Sequence, residues 1–577
     1  MDNSLTHSVE EADFDEIFGE NSIFRIPYFQ REYKWGKHQF TLLSNDIMDI
    51  LNKTEDIHFL GNLLLYSSPK VPGRARIYDV VDGQQRITTL YLFLAALAKQ
   101  YCLINKYDDA SNLFMSYLAL HKKTKEKSNL KLYPCREDRS QFNATIEDLL
   151  SDEQFKAAID MKVMLLPNSG PLTGKITGQY KEIKLFLENE EKKGGYKRLN
   201  KIYGLLLSRL TVVQILIKDL LACPKIFESL NYKGLQVTVG DLVRNEIFAK
   251  AAMLEPAVVD DIYLNKWIPF YEKFGNPKEE LFDKYFFPFG LIEKPEVTKS
   301  AVFTLLRTKW QKTSDPAKVI EELGKYQDAF LDLTTGSKLL DLSKPLSLSL
   351  KKLREAKYPS AIYPFLMQLC NALRDGKIKE KDGQIILAIL DSFLTRRAVC
   401  GFEPTGLHAV FKKLWTECEG KPTPARIEEK IRSRRTVPWP NDEQFSKCIK
   451  ERPLYRAGII NYLIKEYDRG LGCDVPADEP WVEHVLPQKQ TSGWKKYFDS
   501  EAHDGLVDTW ANLIPLSPPM NRSVGQDLYE KKRKRYKNDA MYATPRDFAK
   551  KYSIWTPQKL DSRAKELAIW AKKRWPY

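Results

Sequence analysis

No apolar run in this 577-residue chain is long enough to span a bilayer. ILIKDLLA (215–222) and LYLFLAALA (90–98) are among the longest, and both fall well short of the roughly 20 residues a membrane helix needs. Eight cysteines are scattered from Cys102 to Cys473 with no C-x-x-C pair, so no disulfide framework or zinc knuckle is legible and a reducing, cytoplasmic setting is expected. The first residues, MDNSLTHSVEEADFDEIFGE, are acidic and lack an apolar core, so no signal peptide is expected there. G-x-x-x-x-G-K-[ST] does not occur. GPLTGKIT (170–177) has the wrong spacing, and Ile176 follows Lys175, so nucleotide hydrolysis through a P-loop is excluded. G-x-S-x-G and H-E-x-x-H are also missing, which weighs against serine hydrolases and zincins. Low-complexity tracts and 20–50-residue repeats are not apparent.

What is present is a basic, otherwise ordinary globular composition. Lys and Arg outnumber Asp and Glu by 14, which favours a polyanionic partner, with a basic but unrelated protein as the plain alternative. The length suggests about three domains. Composition shifts divide the chain into residues 1–250, 251–440 and 441–577.

Residues 8–19 have the spacing of a short amphipathic helix, and residues 38–53 that of a second helix. HFLGNLLLYS (58–67) and ARIYDVVD (75–82) read as strands, and ITTLYLFLAALAKQYC (87–102) as a buried helix. Residues 103–250 read as mostly helical and 251–440 as almost wholly so. The stretch 419–440, rich in Pro and charge, reads as a connector, and the last 130 residues as a less regular α+β domain. The fold class is thus multidomain α+β, mostly helical.

Two constellations carry chemistry. The first joins IPYFQREYKW (26–35) to DGQQR (82–86). Asp82 ends a strand, Gly83 allows close backbone approach, Gln84 and Gln85 offer amides, and Arg86 offers a bidentate phosphate clamp at a helix start. The plain alternative is a capped helix whose Arg86 pairs with Asp82. The second joins WVEHVLPQ (481–488) to WANLIPLSPPMN (510–521) and the basic run DLYEKKRKRYK (527–537). A single-metal nuclease needs a histidine base, a carboxylate and an amide oxygen. His484, Glu483 and the asparagines supply those types, although neighbours on a strand face opposite ways. The alternative is a lone core histidine. Lys531, Lys532, Arg533 and Arg535 read as phosphate contacts on DNA, or else as a solvated helix face.

The pair I-P-x-(Y/F)-Q-R-x-Y-x-W and D-G-Q-Q-R resembles the signature of a bacterial domain family with a ParB/sulfiredoxin-like core. E-H-V-L-P-Q … N-L … N … K resembles a divergent HNH (ββα-metal) nuclease. LKLYPCREDRSQF (130–142), FESLNYKGLQVTVGDLVRNEIF (227–248) and FLTRRAVCGF (393–402) add landmarks in the same order. Together they resemble GmrSD-type modification-dependent restriction enzymes and SspE-like anti-phage proteins. The resemblance implies an N-terminal ParB/sulfiredoxin-like α+β domain, a helical middle and a C-terminal HNH domain. It implies that Gln30, Arg31, Asp82, Gly83, Gln84, Gln85 and Arg86 bind an NTP (GTP or ATP), with Asn231, Gly234 and Asp241 in support. It implies Glu483 and Asn521 as ligands of Mg²⁺ or another divalent ion, His484 as general base, Asn512 orienting the loop and Lys531 on phosphate. Phe29 stands where Tyr is usual, and Ala511 where Gly is usual. The expected protein is an anti-phage DNA endonuclease, a nickase gated by NTP, acting on double-stranded phage DNA without a membrane, with a homo-oligomer left open. The alternatives are a non-cleaving DNA-binding regulator and an RNA-targeting toxin.

Overall fold

A computed structural model describes residues 6–27, 30–67, 75–120, 127–217, 238–251, 254–313, 315–472 and 479–577. Phe29, Asn231 and Gly234 lie outside these residues. The chain forms two compact units, residues 1–279 with 306–321 and residues 280–305 with 322–577. The stretch 251–440 is divided between them.

The first unit is built on a six-stranded mixed sheet. Its strands are β1 (Thr6–Asp13), β2 (Ser22–Arg25), β3 (His58–Ser67), β4 (Arg76–Asp82), β6 (Leu132–Tyr133) and β8 (Leu210–Ile217), in the order β1-β8-β3-β4-β2-β6. β8 runs antiparallel to β1 and parallel to β3, and β4 runs antiparallel to β3 and parallel to β2. β5 (Lys127–Asn129) and β7 (Lys162–Met164) pair separately. Helices α1 (Phe14–Gly19), α2 (Lys37–Leu51), α3 (Gln84–Leu103) and α4 (Lys175–Ser208) pack into the same core as the sheet. The run from Ile87 to Ala98 on α3 is buried on every face. That explains why its sequence is apolar throughout rather than striped.

The start of the chain corrects the sequence expectation. Residues 6–13 are a strand, and the helix begins only at Phe14. Asp13 stops the strand because it caps the helix: its Oδ1 accepts from the Glu16 amide at 2.9 Å, and Glu16 Oε2 accepts from the Asp13 amide at 3.1 Å. β8 is a second departure, a strand between β1 and β3 in a region read as helical. An apolar run such as VVQILI fits a buried strand and a buried helix equally well.

The second unit is mostly helical. Asp391 and Arg396, on the helix Glu380–Val399, are buried polar anchors. Arg396 donates to the carbonyls of Trp575 and Pro440 and pairs with Asp442, while Asp391 accepts from Tyr462, Arg574 and Trp575. The FLTRRAVCGF landmark thus ties down the C-terminal tail and residues 438–442. The presumed connector holds a helix, Pro424–Arg432. Near the C-terminus, β9 (Trp481–His484) pairs antiparallel with β10 (Leu513–Leu516), and a helix, Pro518–Val524, follows. This is a ββα arrangement.

Candidate active site and the paired N-terminal motifs

Gly83 joins β4 to α3 with φ +94°, a conformation L side chains resist. A Cβ there would lie 2.8 Å from Leu63 Cδ1 and 3.2 Å from the Asn62 carbonyl oxygen. The side chains around this turn reach across to residues 30–35. Gln85 Oε1 accepts from the amides of Lys34 (2.7 Å) and Trp35 (3.2 Å), and Gln85 Nε2 donates to the Glu32 carbonyl (3.3 Å). Gln30 Nε2 donates to the Val81 carbonyl at 2.5 Å. The Tyr33 amide donates to Asp138 Oδ2 (2.7 Å), as does Cys135 Sγ (3.0 Å), and the Tyr33 hydroxyl lies 2.6 Å from Thr89 Oγ1. The motifs at 26–35, 82–86 and 130–142 therefore close on one another.

Within this cluster Arg86 Nη1 donates to the Asn62 carbonyl (2.9 Å), and its guanidinium packs over Gly61. Arg86 and Arg31 act on Asp82 only through their charge. Burial outweighs them and raises the Asp82 carboxyl above its ordinary range. Gln84 is buried. Gln30 and Arg31 line a cavity of about 240 Å³ together with Arg244, Tyr271, Lys278 and Glu279, whereas Asp82, Gln84, Gln85 and Arg86 do not. The Arg244 guanidinium stacks 4.6 Å from the Tyr271 ring centre and 5.4 Å from that of Trp267. Asp241 lies one turn before Arg244 on the helix Val239–Ala251 and accepts from the Thr238 amide at 3.3 Å.

In the ββα element, Glu483 and His484 are both buried at the end of β9. Glu483 Oε1 accepts from Lys532 Nζ (2.7 Å) and the Tyr536 hydroxyl (2.7 Å), and Oε2 lies 3.3 Å from Asn521 Nδ2. Lys532 Nζ also donates to the His484 carbonyl at 2.8 Å. The His484 ring meets different residues. Its Nε2 is 2.9 Å from Asp508 Oδ1, and it stands edge-on to Tyr455 with ring centres 4.2 Å apart. With the Asp508 oxygen as acceptor, Nε2 carries the hydrogen and Nδ1 keeps its lone pair. Nδ1 has no hydrogen-bond partner among the described residues. Burial holds His484 below the usual imidazole value, outweighing the opposing effect of Asp508. Burial likewise pushes the Glu483 carboxyl up and the Lys532 ammonium down.

Asn512 is fully buried and grips the turn after His484. Its Nδ2 donates to the carbonyls of Leu486 (2.9 Å) and Val507 (2.8 Å), and its Oδ1 accepts from the Leu486 amide (2.7 Å). Lys531 is exposed, Arg535 is half-buried 3.6 Å from Asp539, and Arg533 donates through Nε to the Ala549 carbonyl. Lys532, expected on DNA, is instead wholly enclosed in the site. Asp508 and Tyr455 carried no signal in the sequence. Lys532 and Tyr536 did, because Tyr529, Lys532 and Tyr536 share one helical face.

The donor set can take a divalent ion. Turning the Asn521 amide end over presents Oδ1 to Glu483 Oε2. With the amide turned, the Asn521 and Glu483 oxygens, whose groups lie 3.3 Å apart, would hold one divalent ion between them. Among the described residues no three His, Cys, Asp or Glu side chains cluster as a metal site, so such an ion would rest on one carboxylate and one amide.

A mixed-sheet head and a ββα site with a carboxylate, an imidazole and an amide define a two-part enzyme of the nuclease class. The family model for the N-terminal domain of the GmrSD restriction endonuclease matches residues 14–248, and that for the C-terminal domain of GmrSD restriction endonucleases matches residues 439–570. The chain belongs to the GmrSD restriction endonuclease family, whose target is DNA. Among curated proteins nothing matches it. No described helix is long and apolar enough to cross a membrane.

Proposed function

We propose that this chain is a modification-sensing, anti-phage enzyme that nicks double-stranded DNA at its ββα site, with nucleotide turnover in the first unit as the gate. The 3.3 Å approach of Asn521 to Glu483, with the next residue, His484, keeping an open Nδ1, carries the nuclease reading. His484 Nδ1 takes the proton of the attacking water. Asp508 holds the ring through Nε2–H and offsets the positive charge it acquires. Asn512 keeps the Leu486 backbone, and with it the ring direction, in place. Glu483 and Asn521 would hold Mg²⁺, which supplies positive charge to the scissile phosphate. Arg522, next to Asn521, and Lys531, next to Lys532, are exposed cations beside this centre in sequence.

In the first unit, the phosphates of GTP or ATP are met by Arg31, Arg244 and Lys278 around the cavity. The DGQQR turn fixes the segment that carries Arg31. The cavity is smaller than the roughly 300–1,000 Å³ of most ligand clefts, so it takes the phosphates rather than the whole nucleotide. An ungated nuclease would cut host DNA, and a nucleotide-linked conformational step supplies the restraint.

One observation favours a second reading, a ββα module that binds DNA without cutting: the Lys532 ammonium already sits on Glu483. Supercoiled plasmid, modified and unmodified, incubated with and without NTP and Mg²⁺ separates the two. Nicked circles that need Mg²⁺ and vanish in H484A support cleavage. DNA binding without nicking under every condition leaves only the second reading.

A further inference from the structure

We propose that the helical part of the second unit carries a cationic groove that tracks the phosphate backbone of duplex DNA, built from Arg354, Lys338, Lys344, Lys351 and Lys357. This rests on the reading that the chain acts on DNA. All five residues lie between the two segments matched by the family.

Two neighbouring cavities, of about 320 Å³ and 280 Å³, share Arg354. Arg354 and Lys351 belong to the helix Lys344–Glu355, and Gly336 to the loop after Gln327–Thr334. Arg354 Nη1 donates to the Asp332 carbonyl at 2.7 Å. Gly336, at φ +77°, leaves the slot the guanidinium fills, since a Cβ there would come within 2.8 Å of Nη2. Arg354 is thus fixed by one bond and one close approach. Its Nε and Nη2 have no acceptor among the described residues, which leaves those donors for a ligand.

The lysines around it are similarly unspent. Lys338, Lys344 and Lys357 have no carboxylate within ion-pair distance among the described residues, and Lys351 only a loose one, 3.9 Å from Glu355. The Asp332 carboxylate in the same wall is already taken by the amides of Leu339 (2.7 Å) and Leu340 (3.0 Å). Other charges on the same helix are used differently. Lys352 pairs with Glu466 at 3.0 Å, and Glu355 with Arg469 at 2.5 Å. Those partners belong to the helix Ile460–Gly470, which packs on β10. The helix therefore anchors to the nuclease core through closely paired charges and lines the groove with Lys344, which has no ion pair among the described residues, Lys351, which has only a loose one, and Arg354, which keeps two donors over. One phosphate could engage the cations of one cavity only. A run of cations across two joined cavities suits a strand of phosphates, whose condensed counterions are released on contact.

The test uses the full chain and its K338Q/K344Q/K357Q variant, with binding to a fluorescent duplex of about 40 bp followed from about 50 to 200 mM salt without divalent ions. The slope of log affinity against log salt should fall by about 0.9 for each lysine lost, with affinity at least about 10-fold weaker at intermediate salt. Melting should barely move, since all three lysines are exposed. H484A, which removes no groove cation, should keep the wild-type slope. Wild-type slope in the triple variant overturns the groove while leaving the nuclease reading intact. No duplex binding by the wild type overturns both. Loss of tripolyphosphate binding with an unchanged duplex slope assigns the cations to free phosphate and overturns the DNA proposal.

Discussion

Lys532 Nζ lies 2.7 Å from Glu483 Oε1, and neither side chain is open to solvent. The carboxylate proposed to hold the metal is thus held at Oε1 by an ammonium, with the Tyr536 hydroxyl as a second donor. Removing one member of such a pair strands the other. Lys532→Met should destabilise the second unit by about 3–5 kcal/mol, because Glu483 is left buried without a cation to pair with. Differential scanning fluorimetry reads the loss. Added Mg²⁺ should recover more of the melting temperature in K532M than in wild type. A variant that melts within a degree of wild type would show that the pair is not a structural prop.

Asp508 lies 24 residues from His484 in sequence and 2.9 Å from it in space. Asp508→Asn should slow cleavage by about 10²-fold through loss of ring orientation, the scale seen when a partner that orients a histidine is removed. Wild-type activity should persist below the ordinary imidazole pKa of about 6.5, because burial keeps the base neutral there. Asp508 opposes that shift, so the acid limb of the residual D508N rate should move further down in pH. An acid limb that moves up, or does not move, would rule out Asp508 as the partner that sets this ring's titration.

Asp138 provides a pH test in the first unit. Burial raises its carboxyl to about 6, although the Cys135 thiol and Tyr33 amide bonds work against the rise. The folded value is above the ordinary one, so this group's contribution is full below about pH 4 and is lost as pH climbs through 6. Two units correspond to about 3 kcal/mol. Asp138→Asn should remove this dependence. The stability difference, D138N minus wild type, should therefore grow in favour of the variant between pH 4 and pH 7 in urea melts. A flat difference would mean that Asp138 titrates alike in the folded and unfolded chain, so that burial does not raise it.

These three residues show how unevenly the molecule was legible. Glu483, His484, Asn512 and Asn521 could be named because the chain has only seven histidines, and one of them, beside a glutamate on a strand-like run, is followed by these two asparagines. DGQQR was visible as a polar break between two apolar runs. Asp508 and Asp138 were not singled out, since an aspartate among polar neighbours has no pattern until the fold brings a histidine or an amide to it. Strand β1 was missed because THSVEEAD can be laid on either period, and its pairing with β8 depends on a segment some 200 residues away. At the Gly83 turn, Gln85 is occupied with holding residues 32–35 and Arg86 with holding the Asn62 carbonyl, partners that no local pattern announces.

That occupation separates two kinds of arginine in the first unit. Arg86 spends Nη1 on the Asn62 carbonyl and packs over Gly61, so Arg86→Ala should act mainly through stability, at about 1–3 kcal/mol for the acceptor left behind. Arg31 and Arg244 line the cavity, and Arg31 has no hydrogen-bond or ion-pair partner among the described residues. Arg31→Ala and Arg244→Ala should therefore weaken binding of a fluorescent GTP or ATP analogue by about 10-fold or more each, the scale of a charge-assisted bond of 1.5–3 kcal/mol. Their melting temperatures should change less than that of R86A. Calorimetric titration and thermal melts on the same three variants decide the matter. If R86A loses the nucleotide with unchanged melting while R31A and R244A retain it, phosphate sits on the DGQQR turn itself, and the cavity has another use.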